Sequence, residues 1–164
     1  MDELSQARLR ELLHYDPDTG VFTHRFARRG VTVGNVAGTK GRYGYWFLVL
    51  FHHKYLAHRV AWCYLHGSFP TDQIDHINRI RDDNRARNLR CVTIAQNRQN
   101  LGMSGKNKSG YRGVSYDKIN DMWRASISVG GKARNLGRYD SIAEAAAAYK
   151  QAALKLHTHG AFNV

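Results

Sequence analysis

Between Gln73 and Asn100, QIDHINRIRDDNRARNLRCVTIAQNRQN, the chain sets an acid and an imidazole side by side, Asp75 and His76, in an apolar run with Ile74 and Ile77. Two asparagines follow, Asn88 and Asn97. His76 is the one of the four whose ordinary pKa lets it accept a proton near neutral pH. Asp75 and Asn97 both offer oxygens, which suit a hard divalent ion such as Mg²⁺. Together these types could activate a water and neutralise a developing charge.

The elements that must position them read as strand, loop, strand, helix. An Arg-, Asp- and Asn-rich loop ends at Asn88-Leu89, a second apolar run covers Leu89 to Thr93, and Thr93 can cap a short helix carrying Asn97. Adjacent strand residues point to opposite faces, so Asp75 and His76 cannot lie together on a flat sheet.

Spacings of twelve residues from His76 to Asn88 and nine from Asn88 to Asn97 resemble the HNH nuclease motif, in the variant whose third residue is Asn. The resemblance implies phosphodiester hydrolysis on a twisted hairpin crossed by the helix. Asp75 and Asn97 would share a metal, His76 would reach the water, and Asn88 would hold the loop by bonding to backbone and keep His76 aimed. Many relatives have a Gly soon after the Asp-His pair, where this chain has Arg79-Ile80; Arg79 or Arg81 would then meet a phosphate, as would Arg98.

Charge narrows the partners. The 164 residues carry a formal net charge of +12 with 43% hydrophobic residues, enough for cores and a pull towards polyanions. Residues 1–101 hold 15 basic and 9 acidic groups, and residues 102–164 hold 10 and 4, so both halves are basic. No run is long enough to span a membrane, and MDELSQARLRELL is a charged amphipathic start without a signal-peptide core. Cys63 and Cys91 are expected to be buried free thiols; without paired C-x-x-C motifs no zinc is expected. Double-stranded DNA is the expected partner, with neither a membrane nor an obligatory protein partner.

Ahead of the motif, residues 4–13 predict an amphipathic helix, YDPDTG a turn, and Val21–Phe26 a strand. Ala27–Gly44 reads as a basic Gly-rich loop plus a short strand. Tyr45–Phe51 predicts a strand, His52-His53-Lys54 its turn, and Tyr55–Ala57 the return. A metal role for His52 and His53 is outweighed by simple exposure at a hairpin tip. HRVAWCYLHG opens a helix that Gly67 ends, with Arg59 pinning it to the following finger. LGMSGKNKS, residues 101–109, marks a joint.

Beyond it, Arg112–Tyr116, Trp123–Val129 and Lys132–Tyr139 predict three strands, with a Gly130-Gly131 hairpin turn. Ser141 and Glu144 form a capping box for an Ala-rich helix through about His157, with His157 and His159 as its frayed end. Alternation places Trp123, Ala125, Ile127 and Val129 under the helix. Arg124, Ser126 and Ser128 then face outward beside Ala133 and Asn135, a polar ribbon that could enter a major groove. YRGV, the Trp123 strand, LGRYDS and the Ala-rich helix resemble the plant ethylene-response-factor (Apetala-type) DNA-binding domain. Arg112 matches one of that family's base-reading arginines. Ser128, Ala133 and Asn135 stand where others would be, with Arg134 and Arg138 either taking over some of that work or only contacting phosphate.

The expectation is therefore an α+β chain. Residues 1–101 form an HNH nuclease domain with a ββα-metal finger at 73–101 and an N-terminal mixed β/α elaboration. Residues 102–109 form a linker, and 110–164 a three-stranded antiparallel sheet on one helix. The function implied is a metal-dependent DNA endonuclease of phage homing or free-standing type, using Mg²⁺ or else Mn²⁺, in the cytoplasm of a bacterial or phage-infected cell near the nucleoid. The alternative is a sequence-specific DNA-binding regulator with an inactive finger.

Overall fold

The computed structural model describes residues 4–103, 105 and 107–157. His159 and part of the 102–109 joint lie outside the described residues. The chain divides into two compact units, Met1–Val92 and Thr93–Val164.

In the first unit, Ser5 caps α1 (Gln6–Leu12) by accepting the Arg8 N–H. The chain turns at Leu13 into β1 (Leu13–Tyr15), which pairs antiparallel with β2 (Phe22–His24). The helical spacing in residues 4–13 hid β1, and the expected strand Val21–Phe26 shortens to three residues. β3 (Thr39–Lys40), β4 (Trp46–Leu50) and β5 (His53–Leu56) form a sheet in that order. Leu50 pairs with His53, so the turn is Phe51-His52, both at positive φ, 50° and 64°. That is the mirror-image geometry a two-residue hairpin prefers. The turn expected at His52-His53-Lys54 is thus displaced, and the return strand starts earlier.

Helix α2 (Ala57–His66) follows and ends on Gly67 at φ 93°. Its inner side, with Ala57, Val60, Ala61 and Cys63 buried, joins Leu9, Leu13, Phe22 and Leu48 in one core. Arg59 ties the helix to the chain ahead, donating to the carbonyls of Pro70 (2.8 Å) and Asp72 (3.1 Å). The hairpin β6 (Gln73–His76) and β7 (Leu89–Val92) adds Ile74 and Leu89 to the same core. Cys63 is buried as expected. Cys91 is exposed instead, because the two-stranded ribbon has no third strand to cover it.

The second unit begins with α3 (Ile94–Asn100), capped by a reciprocal Thr93–Gln96 box. β8 (Val114–Asp117), β9 (Met122–Val129) and β10 (Lys132–Tyr139) form an antiparallel sheet with β9 in the centre. The strand expected from Arg112 starts only at Val114, because Gly113 turns the chain at φ 71°. A Cβ there would stand 2.2 Å from the Tyr149 ring, so only glycine fits. Ser141 and Glu144 make the capping box of α4 (Ile142–Leu156). That helix buries Ala145, Tyr149 and Ala153 against Ala125 and Ile127. Among the described residues, no helix is long and apolar enough to cross a membrane.

Candidate active site

The β6–β7 register puts Arg90 directly opposite Asp75. The guanidinium Nε and Nη2 donate to Asp75 Oδ2 at 2.9 and 2.7 Å, which fixes the carboxylate, 7% exposed. His76, one residue on, is equally buried. Strand alternation turns the two apart, yet both are enclosed, Asp75 beside Arg90 and His76 among Asn84, His58 and Tyr45.

The His76 Nε2 lies 3.2 Å from the side-chain oxygen of Asn84, a residue 2% exposed in the loop between the strands. An amide oxygen can only accept, so Nε2 carries the proton and the lone pair falls on Nδ1. Burial pushes the His76 pKa below the ordinary imidazole value, opposed by the Asn84 bond and by Asp75, Asp83 and Asp82. The ring is neutral at neutral pH. Asn84 in turn is fixed by its own carbonyl, which accepts the Tyr15 hydroxyl at 2.7 Å. Sequence reasoning missed Asn84. In the run RIRDDNRARN nothing separates it from any other polar loop residue.

Asn88 closes the loop through main-chain groups. Its side chain accepts the Asn78 N–H (3.0 Å) and donates to the Asp83 carbonyl (2.7 Å), and its own carbonyl accepts the Ile77 N–H (2.9 Å). Asp83 gathers the rest, accepting from Asn78 Nδ2 and from Arg85 Nε and Nη2. The bonds from Arg85 hold its carboxyl down to about 2. Arg79 sits at φ 66°, so the loop makes at this position the left-handed turn that a glycine would make without strain. Arg81 donates to the Tyr43 carbonyl at 2.9 Å and lies 5.2 Å from the Tyr45 ring centre. Tyr45 and His58, from β4's approach and α2, wall the His76 ring at centroid distances of 6.1 and 4.9 Å.

The structure thus gathers Asp75, His76 and Asn88 in the first unit. Asn97 is half-buried on α3, in the second unit, its N–H bonded to the Thr93 carbonyl. Among the described residues no group of three or more His, Cys, Asp or Glu is placed to hold a metal. In the first unit the buried Asp75 carboxylate is an oxygen donor of the kind a hard divalent ion takes. A cation so held would take its other ligands from water and substrate, which is how Mg²⁺ is commonly bound.

In the second unit the sheet face away from α4 carries Arg124, Ser126 and Ser128 on β9. Across the strands stand Ser115, Ala133, Asn135 and, past a bulge between Asn135 and Gly137, Arg138. Arg138 is paired with Asp117 at 2.8 Å. Arg134 lies opposite Ile127 and so belongs to the helix side of the sheet. Arg112 faces neither way freely: its guanidinium donates to the carbonyls of Gln99 (2.6 Å) and Arg98 (2.9 Å), at the end of α3. Exposed Arg98, with Arg112, Ser126, Ser128 and Ala133, lines a cleft of about 540 Å³.

Residues 55–99 match the family model described as HNH endonuclease, and residues 109–159 match the AP2 domain model. Over 106 residues the chain is 29% identical to "Protein 3.8" of Escherichia phage T7, covering 64% of this chain and 85% of that one. No solved structure matches. With His76 and Asp75 on the first strand of a β-hairpin, and a three-stranded sheet on one helix later in the chain, the chain carries an HNH endonuclease domain followed by an AP2 DNA-binding domain.

Proposed function

We propose that the chain is a divalent-metal-dependent DNA endonuclease of the phage homing or free-standing kind, hydrolysing phosphodiester bonds. The observation that carries this reading is the buried, neutral His76, its tautomer set by Asn84, beside a carboxylate that Arg90 holds in place. His76 accepts a proton at Nδ1 from a water that attacks phosphorus, and the ester oxygen departs on the far side. Asp75 and Asn97 are the residues that would hold the cation. A divalent ion there, Mg²⁺ or Mn²⁺, would supply Lewis-acid stabilisation of the departing oxygen. Asn88 keeps the loop closed behind His76.

The division of labour proposed is a nuclease domain over residues 1–101, a joint at 102–109 and a recognition module from 110. Arg124, Ser126, Ser128 and Arg138 would meet the duplex, and Arg79, Arg81 and Arg98 its phosphates. Joining two modest contacts on one chain raises the effective concentration of each for the other's target.

Incubation with supercoiled plasmid DNA and Mg²⁺ or Mn²⁺ tests this. Nicking by the wild-type protein, abolished in His76→Ala and by chelator, is the expected result. If wild type and His76→Ala bind DNA alike and neither cuts a plasmid carrying a selected target, the chain is a DNA-binding regulator instead.

A further inference from the structure

A three-residue loop, Arg42-Tyr43-Gly44, joins β3 to β4. The Gly41 N–H donates to the Tyr45 carbonyl (2.8 Å), the Gly44 N–H donates to the Gly41 carbonyl (2.9 Å), and Gly44 is left-handed at φ 85°. A turn closed in this way by a bulge leaves Arg42 and Tyr43 at a defined tip. The loop between β6 and β7 braces that tip. Arg81 Nη1 donates to the Tyr43 carbonyl at 2.9 Å, its guanidinium lies 5.2 Å from the Tyr45 ring centre, and Lys40 is ion-paired with Asp82. Tyr45 is the residue whose ring stands 6.1 Å from that of His76. Two residues span at most about 7 Å of chain, so the tip is held close to the wall of the His76 ring.

The brace holds out an aromatic ring. Tyr43 is 71% exposed and is no part of the core; the Arg42 guanidinium lies 6.0 Å from its ring centre. Charge around it is one-sided. Residues 40–45 and 77–88 carry six cations, Lys40, Arg42, Arg79, Arg81, Arg85 and Arg87, against two acids, Asp82 and Asp83. Both acids are already paired, with Lys40 and with Arg85. An exposed ring amid surplus cations suits a polyanion that also offers flat apolar faces. DNA is such a partner: arginine neutralises phosphate, and an aromatic ring packs on bases.

We propose that Arg42 and Tyr43 form a DNA contact of the first unit beside the nuclease centre, Arg42 on a phosphate and the Tyr43 ring wedged against the bases of an opened step. This rests on the nuclease reading above, which makes DNA the substrate. A ring on a braced tip can part a base step as an apolar wedge does. It would also set the duplex in register with His76, because the tip and Tyr45 belong to one hairpin.

The test uses the full-length chain carrying His76→Ala as parent, and adds Tyr43→Ser, Tyr43→Phe, Tyr43→Trp or Arg42→Gln to it. It measures thermal melting, plasmid DNA affinity over a salt series, and tryptophan emission; cleavage with Mg²⁺ or Mn²⁺ is followed beside it with His76 intact. All variants should melt with the parent, since both side chains are exposed. Tyr43→Ser should bind DNA about fivefold to a hundredfold more weakly, and Tyr43→Phe, which keeps the ring, should bind like the parent. Arg42→Gln should lower the slope of log K against log salt by about 0.9. Tyr43→Trp should show quenching by DNA beyond that of the parent. Parental affinity in Tyr43→Ser would overturn the proposal, as would equal loss in Tyr43→Ser and Tyr43→Phe, or an unchanged slope in Arg42→Gln. A weakened Tyr43→Ser that also melts lower would show a packing role and overturn it too. If these binding results hold but the chain with His76 intact cuts no better than His76→Ala, the DNA contact is upheld and the nuclease reading fails by itself.

Discussion

A neutral histidine can serve as a base only if its proton is kept on the other nitrogen, and in the proposed site that duty would fall to Asn84. Replacing it with leucine, close in shape but without an acceptor, frees the His76 ring to change tautomer. Asn84→Leu is expected to bind plasmid DNA normally and to cleave it about tenfold to a hundredfold more slowly. A single-turnover rate equal to wild type would remove Asn84 from the site. The pH dependence follows from burial: the His76 pKa lies below the ordinary 6.5, so the cleavage rate should hold down to that pH and fall only below it. A rate that already falls above pH 6.5 would mean that the surrounding carboxylates outweigh burial. His58 carries a related signature in stability. Its folded pKa of about 3 lies below the 6.5 of the unfolded chain, so the unfolded chain takes up the proton first. Stability should therefore be level above about pH 6.5 and decline as the pH falls from there towards 3. His58→Phe should flatten that decline in a melting series.

At the scale of elements, the finger leans on a hairpin that the sequence barely announces. The turn between β1 and β2 brings Gly20, at φ 75°, against the backbone of Asn84 and Arg85, and the Pro17 carbonyl accepts the Ala86 N–H at 2.9 Å. A Cβ on Gly20 would lie 2.5 Å from both the Arg85 nitrogen and the Asn84 carbonyl carbon. Gly20→Ala should cost about 2–4 kcal/mol in denaturant unfolding, from left-handed strain plus overpacking. It should also slow cleavage by moving Asn84, and a variant that unfolds like wild type would refute this buttress. What was legible in the sequence had local chemistry behind it: the helix cap at Thr93, the capping box at Ser141, Gly67 ending α2, the Gly130-Gly131 turn, alternation along β9. What was not legible depended on distant partners. A three-residue strand such as β1 has no period to detect, and Phe51-His52 makes a mirror-image turn without the usual glycine or asparagine. Arg112 reads as a strand residue until the carbonyls of Arg98 and Gln99 are seen to hold it. Asn84 is set apart only by the tertiary contact that buries it.

Across the whole molecule the question is how a formal charge of +12 is spent. Charge spread over both halves favours binding that depends steeply on salt, because each phosphate neutralised releases counterions. On the second unit's open face, Arg124 is exposed, and the opposing Arg138 has its Nε engaged by Asp117. Of these two, the former is the stronger candidate for a full phosphate contact. Arg124→Gln should weaken DNA binding and lower the slope of log K against log salt by about 0.9. Arg138→Gln should lower it by less, since part of that charge is already balanced within the protein. Neither residue belongs to the β6–β7 hairpin, so cleavage at saturating DNA should continue at the wild-type rate. Titrations at four or five salt concentrations, with the cleavage rate measured beside them, separate the two contributions. An unchanged slope for Arg124→Gln would take the open sheet face out of the DNA contact and leave the charge of the first unit to account for binding.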